Sequence, residues 1–280
     1  MCISIAVERE VAPTAALTVR GVTVSFGGLV ALDGVSVDVA RGEVLGIIGP
    51  NGAGKTTLFN VICGFVVPDA GTFSWRGEPI TRMRPHRLTQ LGIARTLQGV
   101  GLFENLTLLE NVMAGAARFR RSNAFSAMLA LPGSDRDERQ LRERAMAALA
   151  RLGCDDVADR LPSTLPYALR KRTALARALV AEPELLLLDE PASGLDAQEL
   201  SELAKVIASL GSSIAVMLVE HHMDFVTSVC DRVVVLDFGK VIAEGPPPAV
   251  RQDPKVLDAY LGREAQDVEP LATGAVDALS

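Results

Sequence analysis

Eight consecutive residues, Gly49-Pro50-Asn51-Gly52-Ala53-Gly54-Lys55-Thr56, leave few folds open to this chain. Two glycines, a lysine and a hydroxyl at these offsets make the turn that wraps a phosphate between a strand and a helix. Gly49, Gly52 and Gly54 can take backbone angles closed to residues with a Cβ, so successive amide N–H groups can turn inward around one anion. Lys55 adds a point charge within reach of the β- and γ-phosphates, and the Thr56 hydroxyl is placed to join the coordination shell of Mg²⁺. Residues 43–48 are short, apolar and partly β-branched, which predicts a buried strand. Thr57 and the residues to 62 open a helix whose N-terminus aims its partial positive charge at the phosphates. The order strand, loop, helix predicts a bound nucleoside triphosphate.

The rest of the chain suits one catalytic domain. Its 280 residues are 49% hydrophobic, but the apolar residues fall in strand-length runs and never reach the roughly 18 in a row that a membrane helix needs. Residues 1–15 carry Glu8, Arg9 and Glu10 and read as a short leader, not a signal peptide, so a cytoplasmic protein is expected. Cys2, Cys63, Cys154 and Cys230 have no paired metal or redox spacing and suit isolated reduced thiols. A net charge of −6 argues against nucleic acid as a partner. The arginine clusters 82, 84, 87 and 118, 120, 121 read as solvated faces.

Alternation of Leu17, Val19, Val22, Val24 and Phe26, then a Gly27-Gly28 turn, then Val35, Val37 and Val39, predicts an antiparallel β-rich lobe before the phosphate loop. Residues 72–80 read as another hairpin. Residues 85–97, 107–117 and 136–152 read as helices, the last with Leu141, Ala145, Ala148, Leu149 and Leu152 on one face. Uninterrupted apolar runs at 185–188 and 214–219 suit central strands of a parallel sheet. The expected fold class is α/β: a P-loop NTPase core with a mixed sheet and a β-rich lobe, plus an inserted helical subdomain.

Four leucines end in Asp189 and Glu190. A carboxylate at the tip of a buried strand must be paired or solvated, and Mg²⁺ would supply the counter-charge for Asp189. Glu190, one residue further out, is placed to take a proton from the water that attacks a γ-phosphate.

Phe26, the loop at 49–57, Gln98, the stretch Leu165-Pro166-Tyr167-Ala168-Leu169, Asp189-Glu190-Pro191, Ser193-Gly194-Leu195-Asp196 and His221 stand in the order and spacing of an ABC-transporter nucleotide-binding subunit. The resemblance covers residues 16–263, with the helical subdomain at about 99–180 and residues 264–280 as a tail without periodicity, expected to be disordered. Residues 93–98, 102–112, 244–246 and 258–262, with the insert at 118–144, look like the ATP-binding subunits of branched-chain amino acid importers. What this implies is an ATPase at the cytoplasmic face of the cell membrane, with ATP and Mg²⁺ as cofactors. It would pair with a second ATP-binding subunit and with transmembrane permease subunits, and be served indirectly by an external substrate-binding protein.

The resemblance also implies roles. Phe26 would stack on the adenine, Gln98 would reach Mg²⁺ or the attacking water, and His221 would contact the γ-phosphate; His222 follows where this group more often has Asp. Leu102, Phe103, Leu106, Leu108 and Leu109 would divide between core and a cleft for a permease helix. Asp196 would belong to a loop that crosses to the partner. Residues 165–169 would be the signature offered to the partner's ATP. There Pro166 lacks a hydroxyl and an N–H, Leu169 cannot donate as glutamine would, and Ala168 replaces a glycine, so a weakened signature is expected. ABC ATPases of lipid or lipopolysaccharide export share much of this pattern, and the stretch 244–262 speaks against them. A soluble ABC protein commonly carries two cassettes or coiled-coil insertions, which this chain lacks. A non-hydrolysing subunit would not need Glu190 and His221.

Overall fold

The computed structural model describes residues 15–96, 99–119 and 132–267. Strands β1 (Ala15–Phe26) and β2 (Leu29–Ala40) form the expected hairpin. The chain then crosses into a second sheet as β3 (Val44–Ile48), turns through the phosphate loop into α1 (Lys55–Ile62), and returns as β4 (Ala70–Trp75) and β5 (Glu78–Ile80). The first sheet is antiparallel, in the order β2-β1-β4-β5.

Residues 85–97 were expected to form one helix and do not. Helix α2 (Leu88–Leu91) stops at Gly92, whose φ of 76° is left-handed, and Ile93–Arg95 becomes strand β6. Helical spacing of Leu88 and Leu91 was real, but Gly92 ends the helix and the next backbone groups pair with a neighbouring strand.

Helices α3 (Leu108–Gly115), α4 (Pro132–Arg151) and α5 (Tyr167–Leu179) follow. Strand β7 (Leu185–Asp189), α6 (Ala197–Gly211), β8 (Ala215–Val219), α7 (Met223–Val229), β9 (Arg232–Asp237), β10 (Lys240–Gly245), α8 (Pro247–Arg251) and α9 (Pro254–Asp267) complete the described chain. Helix α9 continues past 263, so residues 264–267 are helical and not part of a structureless tail. Among the described residues, no helix is long and apolar enough to cross a membrane.

The second sheet runs β10-β9-β3-β8-β7-β6, all parallel except β10. Every residue of β3, β7 and β8 is buried, which explains why these strands are unbroken apolar runs and not alternating ones. Alternate side chains go to opposite faces. Leu186, Leu188, Val216 and Leu218 pack with the helices, while Leu185, Leu187, Met217 and Val219 pack with α1 and the antiparallel sheet. The phosphate-loop helix is thus sandwiched between two sheets, with Leu58, Phe59, Val61 and Ile62 fully buried. Parallel order carries the C-terminal ends of β3, β7 and β8 to one edge. Strand β3 lies between β8 and β9, and ligands of open α/β sheets bind beyond such carboxyl ends.

Candidate nucleotide site

The phosphate loop starts where Ile48 ends β3. Gly49 and Gly54 take φ values of 146° and 102°. Their freedom is also spatial: a Cβ on Gly54 would stand 2.6 Å from the Ala31 carbonyl, and one on Gly49 would overlap the Leu236 carbonyl. The loop is closed by Ala53 N–H donating to Pro50 O (3.2 Å) and by Gly239 N–H donating to Ala53 O (3.0 Å). Lys55 is buried, and its ammonium donates to the carbonyls of Gly49 (2.6 Å) and Pro50 (2.9 Å). Asn51, Gly52 and Thr56 are exposed, with Thr57 half-buried beside them. The outer rim of the loop is thus exposed, and its lysine is buried against the loop's own carbonyls.

Phe26 lies at the tip of the β1–β2 hairpin with its side chain 50% exposed. That hairpin docks beside the loop through Ala31, which packs on both Gly54 and Gly239. The hairpin that packs beside the loop therefore carries an exposed aromatic ring. Gln98 lies outside the described residues.

Asp189 is buried at the end of β7, and one of its oxygens accepts from Arg95 at 2.8 Å. Arg95 also donates to Asn60 of α1 at 2.8 Å, so it ties Asp189 to the loop helix. Burial alone would lower the Arg95 pKa, but the hydrogen bond and charge of Asp189, with Cys63 beside it, raise it on balance. Strand β6, missed by helical periodicity, is what brings Arg95 here.

Glu190 has φ of 47°, a left-handed angle that costs a non-glycine residue about 1–2 kcal/mol. Its N–H donates to Val219 O at 3.0 Å, so β8 holds it in place. Such angles cluster where a side chain must be aimed.

Beside it, Glu220 is fully buried. One oxygen accepts from Ala192 N–H at 2.7 Å, and the other from His221 N–H at 3.0 Å and His222 N–H at 3.4 Å. The His222 ring nitrogen Nδ1 is 3.3 Å from the same oxygen and that of His221 3.7 Å, with the two rings 4.2 Å apart. These three residues bring ligand atoms within 4.8 Å of one another, but the Glu220 oxygens are already engaged. Glu220 acts as the hub that aims both histidines, each about half exposed. Sequence reasoning passed over it; a lone acid ending the apolar run 214–219 was the available signal.

Residues 165–169 run into the start of α5. Pro166 is the N-cap of α5 and supplies no side-chain cap. Ala168 is in the helix, buried, and among residues of ordinary negative φ. The helix begins one residue earlier, at Tyr167, so the Ala168 methyl sits at a regular helical position and carries no left-handed backbone strain. Asp196 caps α6, accepting from Glu199 N–H at 2.8 Å in a capping box. Leu108 and Leu109 are core, Leu102 and Leu106 half-buried, and Phe103 exposed. The loop carrying Phe103 is pinned by fully buried Asn111, which donates to the carbonyls of Phe103, Leu106 and Thr107 and accepts from Phe103 N–H. From α9, the buried Tyr260 hydroxyl comes near the Gly49 N–H without making a hydrogen bond; burial raises its pKa, and the nearby N–H opposes the rise.

A glycine loop at the switch point of a parallel sheet, acids on the neighbouring strand ends and an antiparallel lobe carrying an aromatic define an ATP-binding cassette, a P-loop ATPase. The ABC transporter family profile matches residues 32–193, more than half of the chain. The chain belongs to the ABC transporter ATP-binding proteins. Residues 240–266 match the profile described as branched-chain amino acid ATP-binding cassette transporter. Among similar proteins is the high-affinity branched-chain amino acid transport ATP-binding protein BraF of Pseudomonas aeruginosa, 39% identical over 248 residues, 88% of this chain and 97% of BraF. LivG of Escherichia coli K12, of the same description, is 37% identical over the same shares. The crystal structure of MJ1267, an ATP-binding cassette in its ADP conformation, superimposes with a TM-score of 0.77 at 31% identity, covering 89% of this chain and 99% of that one.

Proposed function

We propose that this chain is an ATP-hydrolysing subunit of an importer of branched-chain amino acids or a related small polar solute. It works at the cytoplasmic face of the cell membrane, paired with a second ATP-binding subunit and seated on transmembrane permease subunits that an external substrate-binding protein feeds. The observation that carries this reading is the closing segment 240–266, where a branched-chain-type sequence follows directly on the ATPase core.

In the mechanism, residues 49–57 hold the triphosphate, and Lys55 exchanges its two loop carbonyls for phosphate oxygens. Phe26 stacks on the adenine. Thr56, Gln98 and Asp189 would supply an all-oxygen donor set that fits Mg²⁺; Asp189 is a buried carboxylate with one oxygen paired to Arg95. Mg²⁺ there would neutralise charge on the β- and γ-phosphates. Glu190 accepts a proton from the in-line water, its position set by the turn after β7. His221, aimed through Glu220, contacts the γ-phosphate. The N–H groups at the start of α5 face the partner's γ-phosphate, so closure follows from the difference in affinity for ATP and ADP. With Pro166 at the cap, that helix offers main-chain donors without a hydroxyl.

Reconstitution with the permease subunits and binding protein in liposomes tests this. Leucine, isoleucine or valine outside the vesicle should stimulate ATP hydrolysis. No stimulation by any of the three would refute the substrate class.

A further inference from the structure

Lys171 sits one turn after Tyr167 on α5 and has no part in the phosphate loop. Its ammonium donates to the main-chain carbonyls of Glu190 (3.3 Å), Pro191 (2.8 Å) and Ser193. Three carbonyls use all three of its donors. The Tyr167 ring lies 5.4 Å from the same ammonium. That ring also covers Gly194, where a Cβ would stand 3.0 Å from the ring carbon Cε1. Two side chains of one helix therefore grip the whole turn that follows β7.

The grip completes the confinement of Glu190. Its N–H is held by Val219 of β8, and its carbonyl is held by Lys171. With both flanking peptides fixed, the left-handed angle between them cannot relax, and the carboxylate stays aimed. We propose that Lys171 is a positioning residue for hydrolysis, holding the main chain of Glu190 from α5, so that the helix offered to one ATP and the base serving the other move as one unit. This rests on reading Glu190 as the base. Desolvation lowers the Lys171 pKa and the charges of Glu220 and Glu190 oppose that, which places the ammonium near both acids without direct pairing.

The test compares Lys171→Met, Lys171→Arg and Glu190→Gln in the assembled transporter. Lys171→Met should lower kcat about tenfold while KM for ATP stays within about twofold, because the interaction acts after binding. Equilibrium binding of a fluorescent ATP analogue should be unchanged. Lys171→Arg, which keeps a multi-donor cation, should recover most of the rate. A Lys171→Met kcat within about twofold of the parent, a fall in kcat matched by loss of ATP binding, or an arginine variant as slow as the methionine one would each overturn the proposal. Continued hydrolysis by Glu190→Gln would instead remove the base, whatever Lys171 does.

Discussion

Removing Arg95 should destabilise the nucleotide-free protein through Asp189. The pair is separated by 2.8 Å, with side chains only 12% and 3% exposed. Arg95→Met keeps most of the apolar stem but leaves a buried carboxylate without its cation. Breaking a buried pair from one side costs about 3–5 kcal/mol. The lower end, about 3 kcal/mol, is the expected loss. At about 2–4 °C per kcal/mol for a domain near this size, the melting temperature should fall by about 6–12 °C. Calorimetry of Arg95→Met, Asp189→Asn and the double variant, all without nucleotide, measures it. The double variant should recover much of the loss, giving a coupling of about 1–3 kcal/mol. A double variant as unstable as the sum of the two singles would refute the pairing argument.

Three further outcomes are expected. Glu190→Gln should bind ATP as the parent does and stop turnover in a radiolabelled phosphate-release assay; ongoing release would show that another group takes the proton. Ala168→Gly in the assembled transporter should leave the ATPase rate within about twofold while costing up to ~1 kcal/mol of helix stability, since the buried methyl is in a regular helical position; a several-fold faster rate would mean that the methyl obstructs the partner's phosphate. Burial, with Asp231 and Glu220 adding to it, pushes the Cys230 thiol up to about 12 from 9.0, so at pH 8 only about one molecule in ten thousand carries the thiolate. N-ethylmaleimide should label Cys230 far more slowly in the folded chain than in denaturant, and equal rates would refute the burial. Stability should accordingly fall as pH rises from 9 toward 12, because there the unfolded chain gives up the thiol proton that the folded chain keeps.

Much of the site was legible because local chain geometry encodes it. Residues 49–56 require glycines wherever they occur, and the runs before Asp189 and His221 read as buried strands because both of their faces are covered. Even so, the helical spacing of Leu88 and Leu91 misled at residues 93–95. Periodicity there competed with a parallel neighbour that supplies backbone partners, as in Thr96 N–H donating to Leu187 O.

The amino-acid sequence alone determined that a phosphate-binding loop stands between a strand and a helix, that two acids end a later buried strand, and that a histidine follows the apolar run after that. Tertiary structure decided which groups discipline those residues. Arg95 reaches Asp189 across 94 residues, Glu220 reaches Ala192 across 28, and Lys171 caps the turn after Glu190 across about 20. Such polar contacts arise only when the order β3-β8-β7-β6 stacks distant strand ends on one edge. A buried charge must then find its partner there, and no local pattern records which residue that will be.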